Sequence, residues 1–371
     1  MYLHAVSVGE ANIALKLIAR WHQKNPQQEF LLALGTTTGF EIATKNAPAH
    51  CQVLYAPLDL PPAIQRMLST YQPSQIILIE AEVWPNLIHY ASRRKIPLAL
   101  VNARLSPRSH SRLQTARPLL APYYQKLSFV GAQSEPDLPR LQSIGIKPET
   151  LHLTGSIKFD PALQPPTRDL PDLEPLLTRL GSGPILMALS THPGEELLFA
   201  RAASQIPQAR LVIIPRHMER RHDIQAELSQ AGFPTHLRTQ ITNPSHLTLD
   251  PHQPNILLID TTGEMPAFTP HATLAFIGKT LLAHGGQNPC EAIAASVPLL
   301  AGPHFENFEP LATQLREARA LQTISSPKEL VAALQNLVES PSRAQTQAQN
   351  ALHILQAHHN ATLKTIQHLA T

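Results

Sequence analysis

Short apolar runs alternate along the chain with longer stretches whose apolar positions recur every three or four residues. In the first half the runs predict strands at His4–Val8, Phe30–Leu34, Gln52–Tyr55, Gln75–Ile79, Leu98–Val101, Leu127–Gly131 and Leu151–Leu153. Between them, helical spacing predicts helices at Ala11–His22, Phe40–Lys45, Pro61–Ser69, Pro85–Arg94 and Glu135–Ser143, the last marked by Leu138, Leu141 and Ile144. Asp160–Pro184, rich in proline, leucine and polar residues, reads as a linker with one short helix. The alternation then restarts, with strands at Ile185–Leu189, Arg210–Ile214, Ile256–Ile259, Thr273–Gly278 and Pro298–Ala301 and helices at Glu195–Ser204, Glu219–Ala231 and Pro289–Ala295. Pro327–Leu369 reads as helical throughout. Strands separated by helices are βαβ units of a parallel sheet. The pattern therefore predicts two doubly wound α/β domains, at 1–160 and 185–345, joined by a linker at 161–184 and followed by a terminal helix at 346–371.

Composition fits this division. The length, 371 residues, allows two domains of about 150 residues each. At 43% hydrophobic and 15% charged, the chain can fill two cores and is too apolar for disorder. Thirty Lys+Arg against 27 Asp+Glu leave a formal charge of +3; without a basic cluster, nothing marks nucleic acid as a partner. Cys51 and Cys290 are too few for a disulfide framework, which fits a reducing compartment. No apolar run approaches the ~18–20 residues of a membrane helix, and no signal peptide precedes the first strand. None of the 19 histidines shows the i, i+4 pairing beside a carboxylate that a zinc helix needs, so neither a metal nor a cofactor is expected. Without a Walker loop, a G-x-G-x-x-G turn or a G-x-S-x-G elbow, the kinase, dehydrogenase and hydrolase readings lose their support.

The polar motifs fall just after the predicted strands, where open α/β sheets bind ligands. The most informative is His284-Gly-Gly-Gln-Asn-Pro-Cys-Glu291. It reads as a glycine turn into a helix start: two glycines let backbone approach a ligand, and free N–H groups suit a phosphate. Glu291 stands where a carboxylate could accept a ribose hydroxyl. Ser7-Val-Gly-Glu10 offers Glu10 either as a carboxylate capping a helix or as a general base. Thr36-Thr-Thr-Gly39 reads as a helix cap or a phosphate contact. Glu80-Ala-Glu-Val-Trp-Pro-Asn86 sets paired carboxylates beside an aromatic, either raising one another's pKa or splitting into a cap and a core tryptophan. Arg104, in Asn102-Ala-Arg-Leu-Ser106, is an anion contact. Lys158, in Gly155-Ser-Ile-Lys-Phe-Asp160, is a surface lysine unless it faces a cleft. In the second half, Ser190-Thr-His192, Pro215-Arg-His217 and Gly263-Glu-Met265 are polar loops or contacts for a base, a phosphate or hydroxyls.

Taken in order, these motifs, closed by Gly302-Pro-His-Phe-Glu-Asn-Phe308, are far more specific than any one of them. The series resembles the 3-deoxy-D-manno-octulosonic acid (Kdo) transferases of lipopolysaccharide synthesis, from His4 to about Glu317. The resemblance implies a GT-B fold, two Rossmann-like domains facing a cleft. It implies that the first domain takes a lipid A precursor (lipid IVA) and the second CMP-Kdo, with the last helix crossing back to the first. It makes Glu10 the general base of an inverting transfer and has Glu80 and Lys158 stabilise the transition state. Pro215, Arg216, Gly263, Glu264, Met265, Asn288, Pro289, Cys290 and Glu291 would hold CMP. The expected place of work is the cytoplasmic face of the bacterial inner membrane, reached by peripheral contact.

The chain departs from the family pattern in several places. It lacks the fifty or so residues, with an apolar anchor helix, that family members carry before the first strand. Gly278-Lys-Thr280 stands where a second glycine and a serine are usual, Gln287 replaces a histidine and Met218 a proline. These changes sit beside the expected donor site. They keep a relative with another sugar nucleotide, or one that binds without turnover, as alternatives.

Overall fold

The computed structural model describes residues 1–81, 83–160, 169–250, 253–309 and 311–370. It divides into two compact units, Met1–Pro161 with Ala357–Thr371, and Ala162–Gln356. Each is built on a parallel sheet of seven strands with helices on its faces.

In the first unit the strands are β1 (Tyr2–Ala5), β2 (Phe30–Leu34), β3 (Cys51–Tyr55), β4 (Ile76–Ile79), β5 (Leu98–Ala103), β6 (Phe129–Ala132) and β7 (Leu151–Leu153). Their order is β3-β2-β1-β4-β5-β6-β7. Helices on both faces bury both sides of a parallel sheet, which is why the strands are apolar runs instead of alternations. Period-two geometry deals successive side chains to opposite cores. Leu3, Ala5, Ile77 and Ile79 pack on one side with Ile13, Leu17 and Trp21 of the helix Val8–Lys24. Tyr2, Ile76 and Leu78 pack on the other with Ile64, Leu68, Leu87 and Ile88.

The second unit has β8 (Ile185–Thr191), β9 (Arg210–Pro215), β10 (Thr235–Leu237), β11 (Ile256–Leu258), β12 (Leu274–Ile277), β13 (Leu299–Ala301) and β14 (Gln322–Thr323). Their order is β10-β11-β9-β8-β12-β13-β14. Leu186, Leu211, Ile256 and Phe276 meet Phe199, Ile224, Leu228 and Leu330 in one core.

Several boundaries differ from the sequence reading. The first strand ends at Ala5 because Ser7 caps a helix that begins at Val8; Gly9 and Glu10 therefore lie in the first helical turn. Helices at Pro107–Thr115 and Arg117–Tyr124 carry no apolar stripe that periodicity could detect: the former buries none of its side chains and the latter only Tyr124. Pro289 is the residue that caps the five-residue helix Cys290–Ala294, one position before its expected place. The stretch read as one terminal helix is three, at Pro327–Glu339, Pro341–Gln356 and Ala361–Leu369. Pro341 lacks the N–H that would continue the first, and Asn360 at φ 58° ends the second run of helical backbone. Residues 161–168 of the expected linker lie outside the described residues; after them Leu173–Arg179 forms a helix that buries Leu173, Leu176 and Leu177.

Ala361–Leu369 lies in the first unit, where Ala361, Ile366 and Leu369 join the core beside the helix Val8–Lys24. Two side chains fix its start. The His358 Nδ1 accepts the Ser156 N–H at 3.1 Å, and Asp160 accepts the Thr362 N–H at 2.9 Å. Gly155 makes the close approach possible: its φ is 84°, and a Cβ there would sit 2.9 Å from both the Ala357 carbonyl oxygen and the His358 Cα. Left-handed backbone costs an L-residue about 1–2 kcal/mol, and overpacking typically about 1–3 kcal/mol. Gly155→Ala is therefore expected to lower the stability of this unit by about 2–5 kcal/mol, read as a fall in urea midpoint. An unchanged midpoint would show that the terminal segment does not depend on this contact.

His358 also sets a pH dependence. Burial first, and the Lys364 charge second, hold its pKa down from 6.5 to about 4. The folded state thus binds fewer protons than the unfolded state between these values. Stability is complete above pH 6.5 and declines as the pH falls toward 4. His358→Gln should flatten that decline in urea midpoints taken across the window. An equal slope in both proteins would assign it to other groups.

Candidate functional site

In the first sheet the strand order reverses between β1 and β4; in the second it reverses between β8 and β12, and β10 and β11 are exchanged at the far edge. Loops leave such a switch point in opposite directions and open a crevice at the carboxyl ends of the strands. Glu10 and Glu80 follow the strands of the first switch point, and Ser190-Thr-His192 and the turn His284–Glu291 stand at the ends of those of the second; the other motifs follow neighbouring strands.

In the first unit, Glu10 follows β1. Ser7 accepts the Glu10 N–H at 3.3 Å, and Glu10 in turn accepts the Val6 N–H at 2.6 Å and the Ser7 hydroxyl at 3.0 Å. This is a capping box, and it holds a buried carboxylate in one orientation beside the switch point. Thr36 realises its capping reading, accepting the Gly39 N–H at 3.3 Å while donating to the Val6 carbonyl at 2.7 Å.

Glu80 follows β4 with φ 62°, and Asn102 ends β5 with φ 54°. Left-handed backbone at non-glycine residues is strain that the surrounding contacts must hold. Here they do. The Glu80 N–H donates to the Val101 carbonyl at 2.9 Å. Asn102 is fully buried; its carbonyl accepts the Gln133 amide at 2.7 Å, and its Oδ1 accepts the Ile157 N–H at 2.9 Å. Its amide stands 3.5 Å from Glu80. One side chain thereby ties the Glu80 turn to the turn that carries Lys158. The Lys158 carbonyl accepts Lys16 Nζ at 3.0 Å. Arg104, expected to contact an anion, lies 3.7 Å from the Glu80 carboxylate. Glu82, expected to pair with Glu80, lies outside the described residues.

His4 and Trp84 face each other at the same edge, with ring centroids 5.0 Å apart. His4 Nε2 and Trp84 Nε1 are buried with no hydrogen-bond partner among the described residues. Burial pushes the His4 pKa down to about 4, so the ring is neutral at physiological pH. Asp59, which the motifs do not include, caps the helix Pro85–Arg93, accepting the N–H groups of Asn86 and Leu87 at 2.9 and 2.8 Å.

In the second unit, Ser190 at φ 55° and Lys279 at φ 58° stand at the ends of β8 and β12. Glu195, fully buried, accepts the N–H groups of His192 and Lys279 at 2.9 and 2.8 Å through one oxygen. It therefore joins the loops on both sides of the switch point. Burial raises its pKa while these backbone donors oppose the rise. Glu196 binds Arg220 at 2.9 Å and the Thr191 hydroxyl at 2.9 Å. The ring of His192 lies 2.8 Å from the Gln287 amide. Burial first, then the charges of Lys279, His217 and Arg220, lowers its pKa. The exposed Arg216 hangs from a backbone bond to the Thr191 carbonyl at 3.0 Å.

The other expected donor residues divide. Glu264 is buried and engaged, accepting Arg238 Nε at 3.0 Å, while Arg238 forks onto Asp172 at 2.7 and 2.9 Å. Asp172 comes from the stretch read as linker, so sequence order hid this network. Gly263 has φ 82° and open space where a side chain would stand. Met265 receives the Ser190 hydroxyl at 3.8 Å. Asn288 accepts the N–H of the buried Cys290 at 3.1 Å and is spent on turning the chain into its helix. Glu291 Oε2 and Thr261 Oγ1 are buried with no partner among the described residues. Burial raises the Glu291 pKa. Sequence reasoning missed Glu195 and Glu196; their signal was a pair of carboxylates opening a helix directly after a polar strand end.

The two seven-stranded parallel sheets, each with helices on its faces and polar loops at the carboxyl ends of its strands, define the GT-B class of fold. The UDP-GlcNAc 2-epimerase of Neisseria meningitidis is similar in fold, with a TM-score of 0.60 at 13% identity and all of both chains covered. A family described as 3-deoxy-D-manno-octulosonic-acid transferase (kdotransferase) matches residues 1–161. The 3-deoxy-D-manno-octulosonic acid transferase of Haemophilus influenzae is 32% identical over 352 residues, covering 92% of this chain and 81% of that protein. That of Bordetella pertussis is 32% identical over 386 residues, covering 100% and 86%. The chain belongs to the Kdo transferase family of glycosyltransferases. Among the described residues no helix is long and apolar enough to cross a membrane.

An unpartnered buried carboxylate oxygen loses solvation and gains nothing until a ligand donates to it. Because the Glu291 pKa is raised above 4.5, stability present below that value is lost as the pH rises through the raised one. Glu291→Gln should therefore raise the melting temperature at neutral pH. It should also weaken CMP binding about tenfold, the equivalent of about 1.4 kcal/mol, read by calorimetry. Lower stability with unchanged CMP affinity would remove Glu291 from the nucleotide site.

Proposed function

We propose that this chain transfers Kdo from CMP-Kdo to a hydroxyl of a lipid A precursor, lipid IVA, in lipopolysaccharide synthesis at the cytoplasmic face of the inner membrane. The observation that supports the reading is Glu10 and Glu80 after the strands of one switch point and the turn Asn288–Glu291 after a strand of the other. Membership of the Kdo transferase family supports the sugar and the nucleotide.

In this reading Glu10 is the general base. Its capping bonds aim the carboxylate, which takes the acceptor hydroxyl's proton as the oxygen attacks the anomeric carbon. A single displacement inverts that centre. The bond to the CMP phosphate oxygen breaks, and its electron pair leaves with CMP. Negative charge gathers on the phosphate, where Arg216 and the N–H groups of the turn Asn288–Glu291 stabilise it. Pro215, Gly263, Glu264 and Met265 shape the same nucleotide pocket. Glu264 acts there through a carboxylate that Arg238 already orients. Glu80 and Lys158, linked through Asn102, stabilise charge at the reacting sugar.

The test is acceptor-dependent CMP release from CMP-Kdo with detergent-dispersed lipid IVA, comparing wild type and Glu10→Gln. Loss of a general base lowers kcat about 10²–10⁴-fold. The amide retains the shape of the cap, so circular dichroism should show a folded protein. A folded Glu10→Gln protein with the wild-type rate would overturn the role of Glu10, and wild-type protein that binds CMP without acceptor-dependent release would overturn the transfer itself.

A further inference from the structure

The loops after β12 and β13 bring together three side chains that the transfer chemistry does not use. These strands pair in parallel, Ile277 beside Ala301, so the turn at 278–288 and the segment at 302–308 leave one edge side by side. Four hydrogen bonds lace them. The N–H of His304 donates to the Thr280 carbonyl at 3.0 Å and that of Asn307 to the Gly285 carbonyl at 2.9 Å. The N–H of Gly302 donates to the Thr280 hydroxyl oxygen at 2.8 Å and that of Gly285 to Glu306 Oε2 at 2.7 Å. The other carboxylate oxygen, Oε1, lies 3.1 Å from His284 Nδ1 and 3.4 Å from His304 Nδ1. One donor atom from each of the three residues falls within 4.8 Å of the others.

We propose that His284, His304 and Glu306 form a binding site for a divalent transition-metal ion, with Zn²⁺ its best-matched occupant. Bonds of about 2.0–2.1 Å in a tetrahedral shell put neighbouring donor atoms roughly 3.3–3.4 Å apart. The two carboxylate–imidazole separations already match this. Two imidazoles and one carboxylate suit Zn²⁺, Co²⁺ or Ni²⁺; Mg²⁺ and Ca²⁺ prefer all-oxygen shells. The Gly285 N–H supplies the outer bond that orients a ligating carboxylate. Each ring would bind through Nδ1 and keep its proton on Nε2. With the side chains of His284 and Glu306 78% and 55% exposed, the three protein ligands leave an outward position for water or an anionic oxygen of a small ligand.

The arrangement also fits a carboxylate bridging two protonated histidines with no metal, and calorimetric titration of Zn²⁺ into the chelator-stripped full chain separates the two. The expected result is one Zn²⁺ per chain with micromolar or tighter affinity. His284→Ala and His304→Ala should each weaken binding at least tenfold, and the isosteric Glu306→Gln should weaken it too. His353→Ala, at an exposed position of the helix Pro341–Gln356, should leave it unchanged. Melting temperatures taken without zinc confirm that each variant is folded. Absence of submillimolar binding in wild type, or binding that survives both histidine substitutions undiminished, would overturn the site.

Discussion

The constraint on which the rest depends is the burial of both faces of each parallel sheet. A strand such as Ile76–Ile79, buried at every position, has no room for a polar group along its length. Its N–H and C=O groups are consumed by the ladder. Chemistry is then possible only where the ladder stops, and the carboxyl edge is where the connecting loops have freedom to differ. The central reversal of strand order in each sheet parts the loops on either side of it. Glu10 and Glu80 in one unit, and the His192 and Lys279 loops in the other, stand at those places because the topology leaves no better one.

Holding polar loops at such an edge has its own cost, and the structure meets it with buried side chains that bond backbone. Asn102 and Glu195 have the same task in the two units. Each sits under the edge, out of water, and each satisfies N–H groups from loops that are distant in sequence. The left-handed residues at the ends of β4, β5, β8 and β12 are the strain these anchors contain. An amide suffices in the first unit, where the donors are few. A carboxylate serves in the second, where one oxygen gathers two N–H groups while burial raises its pKa.

Much of this was legible in the sequence. Apolar runs gave all the strands but the short edge strands β10 and β14, since a doubly buried strand has no other way to be written, and the order of the motifs gave the family. Two kinds of feature escaped. Helices such as Pro107–Thr115 bury nothing and so leave no periodic trace. Networks such as Asp172–Arg238–Glu264 join segments far apart in the chain, and their spacing carries no signal. The histidines are an instance of the same limit. A search for ligands spaced along one helix passes over His284, His304 and Glu306, because neighbouring strands bring them together and sequence distance does not. Boundaries failed where a capping side chain decided them, as Ser7 does for the helix at Val8.

Glu10 and Glu291 show opposite ways of using a carboxylate at such an edge. Glu10 receives a backbone N–H and a hydroxyl from its own turn. Its orientation is fixed before any ligand arrives by the same bonds that start the helix. Glu291 has an oxygen buried without a partner among the described residues, and burial raises its pKa. A ligand that donates a hydrogen bond there recovers solvation that the folded chain gave up, so the deficit becomes affinity. A catalytic base must be ready in the free protein, whereas a binding carboxylate gains discrimination by being satisfied only when the right hydroxyl or amine arrives. The two switch points thus divide preorganisation from recognition. That division fits the proposed transfer, in which one site abstracts a proton and the other selects a nucleotide.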